Sequence, residues 1–122
     1  MLVLKFTDFG LADVRALLKN VRNSLKKELR NKVAQNPESC SEEFHGPLKD
    51  YRSFHFRGYR VVYRIFHQLK AVAIVGIGTH SGDARADIYR RLEVLAGSGK
   101  VAESVLLSLR GFSAGKSGPP KM

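Results

Sequence analysis

A chain of 122 residues suffices for one domain with a buried core and is short for two. Its charge is lopsided: 21 Lys and Arg against 11 Asp and Glu give +10, which favours a polyanion (nucleic acid, an acidic protein or an anionic membrane surface), although a basic protein with no such partner has the same composition. The single cysteine, Cys40, excludes an internal disulfide. No CxxC or HExxH spacing supports zinc, and no apolar run approaches a signal-peptide core or the roughly 18 residues of a membrane span, so a reducing, cytoplasmic setting is expected.

Leu2 to Phe6 reads as a strand, and Thr7-Asp8 offers a helix N-cap. From Phe9 to Leu18, Leu11, Val14, Leu17 and Leu18 fall near one helical face. After Asn20 a second helix is predicted, with Val21, Leu25, Leu29 and Val33 recurring every four residues and Arg22, Lys26, Lys27, Arg30 and Lys32 forming a basic outer face. Asn36-Pro37 ends it. Pro37 to Pro47 has the composition of a loop and holds Glu38, Glu42 and Glu43.

Three strands are expected next. Tyr51 to Phe56 and Tyr59 to Phe66 are joined by a tight turn at Arg57-Gly58, and His67 to Lys70 turns the chain into Ala71 to Gly78. The last of these, "AVAIVGIG", is apolar at nearly every position, as expected of a strand central in its sheet or covered on both faces. A helix near Ala86 to Leu95 follows, with Asp83 as its cap, broken by Gly97 to Gly99. Val101, Val105 and Leu109 suit one more helix, and residues 111–122 have the composition of a disordered tail. The order β-α-α-β-β-β-α predicts an α+β fold of two layers, with helices on one face of a mostly antiparallel sheet. Residues 1–96 form the expected domain, 97–110 an extra C-terminal helix and 111–122 the tail.

Side chains alternate along a strand. Tyr59, Val61, Tyr63 and Ile65 share one face of their strand, while Arg60, Val62, Arg64 and Phe66 share the other. In the preceding strand, Phe54 and Phe56 belong inside with Arg52, leaving Tyr51, Ser53 and His55 on the far side. His55 and Arg60 are therefore expected close together across the hairpin. An open sheet face bearing Arg, His and Tyr suits phosphate binding and base stacking, and it also suits the plain solvated face of an antiparallel sheet.

"GPLKDYRSFHFRGYRVVYRIF" followed by "AVAIVGIGTHSGDARADIYRRL" resembles the RelE/ParE superfamily of toxins from type II toxin–antitoxin systems. The resemblance is strongest over Leu48 to Leu92, and the preceding strand–helix–helix order fits the same fold. It implies one of two activities. RelE-type members cut messenger RNA on the ribosome without metal or other cofactor; ParE-type members poison DNA gyrase. Both are neutralised by a cognate antitoxin. Carried over residue by residue, the resemblance implies that Arg60 stabilises phosphate charge, His55 is a base or electrostatic aid, and His80 is the acid for the leaving 5′ oxygen. Tyr89 stacks on a base or orients the 2′-hydroxyl, and Lys49, Arg52 and Arg64 bind RNA. The set His55, Arg60 and His80 favours the nuclease, since a gyrase inhibitor needs no acid and base. The sequence departs from the family pattern at Ser53, where strong cutters often carry Lys or Arg, and in "SGDARAD", which is longer than in the shortest members.

Overall fold

The structure, a computed structural model, describes residues 1–80 and 87–109. Its strands are β1 (Val3–Phe6), β2 (Ser41–Glu43), β3 (Arg52–Phe56), β4 (Tyr59–Phe66) and β5 (Ala71–Thr79), and its helices are α1 (Asp8–Arg15), α2 (Lys19–Glu28), α3 (Ile88–Gly97) and α4 (Lys100–Ser108). The sheet order is β1-β5-β4-β3-β2, with β1 parallel to β5 and every other pair antiparallel. The α+β class expected from the sequence is present.

Local chemistry accounts for the elements. Thr7 caps α1: its hydroxyl oxygen accepts from the Gly10 N–H at 3.1 Å and donates to the Ile74 carbonyl at 3.2 Å, tying the helix start to β5. α1 lies so close to β5 that a Cβ on Gly10 would stand 2.3 Å from the Ile74 carbonyl oxygen. Because α1 ends at Arg15, Leu18 is exposed and does not continue its apolar face. α2 runs into a wider turn of π type over Leu29–Val33, and the four-residue spacing buries Leu25, Leu29 and Val33.

One feature of the expected architecture is corrected: helices cover both faces of the sheet. Val14 of α1 and Leu25 of α2, with Leu29 and Val33, pack against Phe54, Phe56, Val61, Tyr63, Val72 and Ile74. Ile88 and Leu92 of α3 and Val101 and Val105 of α4 pack on the opposite face against Val62, Ala71, Ala73 and Val75. The near-continuous apolar run of β5 follows from this, since both of its faces are buried.

β5 also carries a bulge. Val62 pairs with Gly76 and Tyr63 with Ile74, so Val75 is the extra residue. Strict alternation would put Val75 and Ile77 on one face; the bulge sends Val75 toward α3 and α4 and Ile77 toward α1 and α2. It also turns Gly76 and Gly78 toward α3, where a Cβ on Gly76 would lie 3.0 Å from Leu92 Cδ1 and one on Gly78 would lie 3.2 Å from Ile88 Cβ. The helix that borders the site below therefore sits directly on the backbone of β5.

Two further boundaries differ. The expected loop from Pro37 to Pro47 contains β2, a short edge strand, because Ser41, Glu42 and Glu43 pair with Phe54, Ser53 and Arg52. The cap of α3 is Asp87, whose carboxylate accepts from the Arg90 N–H; Asp83 lies outside the described residues, as does the expected tail. Among the described residues no helix is long and apolar enough to cross a membrane.

Candidate functional site

The β3–β4 hairpin turns at Arg57-Gly58, with Arg57 at φ 55°, a left-handed conformation that a two-residue turn demands. This turn sets a register in which His55 faces Arg60 across the strands and Arg60 faces Gly78 of β5. His80 follows Gly78 by two positions, at the end of β5. His55, Arg60 and His80 thus come to one rim of the sheet. The rim lies on the α3 face, because Ser53, which shares a strand face with His55, contacts α3.

At this rim Arg60 is partly exposed, and among the described residues its guanidinium meets only the Tyr59 carbonyl, at 3.2 Å, and no carboxylate. His55 is exposed and lies 3.4 Å from Glu42 of β2. His80 stands against α3: its Nδ1 is 2.5 Å from Asp87 Oδ1, and its ring packs on Tyr89 with centroids 4.5 Å apart. Tyr89 in turn meets Phe44 edge-on at 4.9 Å, and its hydroxyl shares a 2.7 Å hydrogen bond with Ser53 Oγ across β4. Ser53 and Asp87 are both buried polar side chains with partners, so burial costs them little.

The other expected residues separate from this group. Arg52 points to the opposite face with Phe54 and Phe56, where it clamps β2: its guanidinium donates to Ser41 Oγ at 2.7 Å, to the Glu38 and Ser41 carbonyls at 3.1 Å, and to Glu43 at 3.3 Å. Arg64 shares the face of Arg60 but lies four residues along β4, about 13 Å away. It covers the rings of Phe66 and Tyr51 at 5.0 and 5.9 Å. Lys49 is exposed beside Arg52 in a shallow depression that also holds Glu38 and Glu43. The seven-residue pattern expected for RNA thus resolves into a compact rim and residues that stand apart from it.

Two residues of the rim were not singled out by sequence reasoning. Ser53 figured only as a departure from a family pattern, and Asp87 was passed over for Asp83 as helix cap. The available signal for Asp87 was its place immediately before "IYRRL", a position from which an Asp caps well. Among the described residues no three His, Cys, Asp or Glu side chains converge as a metal-ligand set would. What the rim can do is bind an anion at Arg60 and transfer a proton at His80 or His55.

A family model described as the ParE toxin of type II toxin–antitoxin systems (parDE) matches residues 4–84, about two thirds of the chain. The isolated E. coli RelE toxin is 29% identical, superposes with a TM-score of 0.55, and is matched over 65% of this chain and 84% of its own. In the intact E. coli RelBE toxin–antitoxin complex the corresponding values are 28%, 0.56, 66% and 99%. The toxin–antitoxin complex RelBE2 from Mycobacterium tuberculosis shares the fold at 18% identity, with a TM-score of 0.61 over 64% of this chain and 90% of that one. No curated protein matches the chain.

Proposed function

Since the chain belongs to the RelE/ParE superfamily and is a toxin of the type II toxin–antitoxin class, we propose that it is a ribosome-dependent endoribonuclease that cuts messenger RNA in the cytoplasm. The observation that carries this reading is the register that lines up His55, Arg60 and the end of β5 bearing His80. An anion-binding guanidinium between two imidazoles is what cleavage by the RNA's own 2′-hydroxyl calls for. The 2′ oxygen loses its proton and bonds to phosphorus, the bond from phosphorus to the 5′ oxygen breaks, and that oxygen takes up a proton. A 2′,3′-cyclic phosphate and a 5′-hydroxyl result.

In this scheme Arg60 neutralises the phosphoryl oxygens, His55 receives the 2′ proton or supports the charge, and His80 supplies the proton to the leaving oxygen. Tyr89 has its ring and hydroxyl engaged within the protein, which favours holding His80 over stacking on a base. The exposed Lys26, Lys27 and Arg30 of the second helical segment give a cationic surface for ribosomal RNA, with salt-sensitive affinity. A cognate antitoxin is the protein partner, a reading supported by E. coli RelE having been solved with its antitoxin RelB.

The parDE description of the family model favours a second reading, a non-nuclease inhibitor of DNA gyrase. A cleavage assay separates the two. Purified protein is added to messenger RNA on programmed ribosomes and free in solution, beside Arg60→Ala and His80→Ala. Cleavage on ribosomes, lost by about 10²–10³-fold in Arg60→Ala, supports the nuclease. Intact RNA together with inhibited supercoiling supports the gyrase reading and removes His55, Arg60 and His80 from any chemical role.

A further inference from the structure

We propose that Asp87 is the positioning residue of the site: its carboxylate holds His80 through Nδ1, so that Nε2 is the nitrogen presented to RNA. The catalytic half of this statement rests on the nuclease reading; the orientation of His80 does not. An ionised carboxylate can only accept, so the 2.5 Å contact between His80 Nδ1 and Asp87 Oδ1 requires the proton on Nδ1. In a free neutral imidazole the proton resides mostly on Nε2, so the pair imposes the minority tautomer. Nε2 lies on the opposite side of the ring from this bond, and the His80 side chain is 51% exposed.

The carboxylate is itself fixed. Its side chain is 10% exposed, and Oδ2 accepts from the Arg90 N–H at 3.0 Å in the first turn of α3, which spans ten residues. With one oxygen spent on the cap, the other is directed at His80. The next residue but one, Tyr89, supplies the flat surface on which the imidazole packs, and Ser53 anchors that ring from β3. The start of one helix therefore fixes both the edge and the face of His80. A histidine that merely faced water would need neither.

The proton count favours the same assignment. When the protonated ring gives its Nε2 proton to the leaving 5′ oxygen, the other proton stays on Nδ1, hydrogen-bonded to the Asp87 carboxylate. The neutral ring is left in the single tautomer whose free nitrogen can take a proton from solvent for the next turnover.

Asp87→Asn is the decisive variant. Its amide oxygen still caps Arg90, so the thermal midpoint stays within a few degrees of wild type, while its NH2 group turned to His80 removes the demand for a proton on Nδ1. Asp87→Ser, which caps but cannot reach His80, serves as a second variant. Long-range 1H–15N spectra at roughly pH 9, above the ordinary imidazole range, read the tautomer, with His80→Gln assigning the signal. The expected result is Nδ1–H in wild type and Nε2–H in both variants, with ribosomal cleavage reduced about 10- to 100-fold. Nε2–H in wild type, or the same tautomer in Asp87→Asn, overturns the proposal whether or not RNA is cut. The expected tautomers with undiminished cleavage in the variants overturn the catalytic half. If wild type cuts no RNA the nuclease reading fails, and the spectra alone then decide whether Asp87 orients His80.

Discussion

Asp13 on α1 does work that its sequence position does not suggest. Its Oδ2 accepts from the backbone N–H of Ile77 at 2.9 Å and from the Arg91 guanidinium at 2.6 Å. The reason lies in the sheet. β1 accompanies β5 only as far as the Phe6–Ile74 pair, so beyond the bulge the outer edge of β5 has lost its strand partner. Asp13 stands in for the missing strand. Asp13→Ala leaves the N–H of Ile77, a residue 4% exposed, without its acceptor, which costs about 1–3 kcal/mol. The lost ion pair adds little, because the Arg91 side chain is 44% exposed and screened, so its share is about 0.5 kcal/mol. Urea unfolding should therefore show Asp13→Ala destabilised by about 2–3 kcal/mol with an unchanged m-value, and Arg91→Ala by less than about 1 kcal/mol. Amide exchange at Ile77 should accelerate in the first variant alone. Equal losses in the two variants would refute the backbone-capping role and leave Asp13 as an ordinary surface ion pair.

Further expectations follow from the packing. Gly10→Ala places a Cβ 2.3 Å from backbone, forcing α1 off β5; a loss of about 3 kcal/mol or more is expected in thermal melts, while Gly97→Ala, with no atom within 4 Å, serves as a tolerated control. A melting temperature near wild type for Gly10→Ala would show that α1 does not sit where described. Ser53→Ala and Tyr89→Phe should each cost about 1 kcal/mol, and the double variant should cost less than their sum by about 0.5 kcal/mol or more; strict additivity in denaturant unfolding would mean that the two hydroxyls do not interact. Burial pushes the pKa values of the Tyr63 and Tyr51 hydroxyls up, foremost that of Tyr63, which is fully buried and donates to the Pro37 carbonyl at 2.6 Å. The unfolded chain then loses these protons first as pH rises, near pH 10, while the folded chain keeps them. Stability is full below that pH and falls above it, by up to about 1.4 kcal/mol per unit for each tyrosine, and Tyr63→Phe should flatten the decline; an equally steep alkaline loss in Tyr63→Phe would assign it to other groups.

Much of this fold was legible because its signals are local. The four-residue spacing from Val21 to Val33, the cap at Thr7 and the Arg57-Gly58 turn each act within a few residues of where they are written. The juxtaposition of His55 and Arg60 was legible for the same reason, since a two-residue turn dictates the register beside it. Contacts decided by distant partners were not. Ser41, Glu42 and Glu43 are poor strand formers and form β2 only because β3 offers its edge and Arg52 reaches over to Ser41 and Glu43. The second helical layer was missed because α3 and α4 cross to the far face, and an apolar run such as "AVAIVGIG" fits a central strand with either arrangement.

The bulge at Val75 shows why the site itself was harder to read than the elements that carry it. One inserted residue reverses which face every later side chain of β5 occupies. It turns Gly76 and Gly78 toward α3, and only because both lack a Cβ can Ile88 and Leu92 settle onto the strand. That seating brings the first turn of α3 beside the end of β5, where Asp87 meets His80 and Tyr89 reaches Ser53. Alternation counted along β5 predicts none of these pairings, and no residue among them carries a spacing signal of its own. The consequence can be tested at a point remote from the rim. Gly76→Ala should lift α3 by a few tenths of an ångström, because its Cβ would press on Leu92 at 3.0 Å, and should weaken the His80–Asp87 pair without touching either residue. Shortening the obstructing side chain in Gly76→Ala/Leu92→Val should restore the imidazole tautomer of wild type. A tautomer unmoved in Gly76→Ala would mean that the pairing at the rim is independent of how α3 is seated on β5.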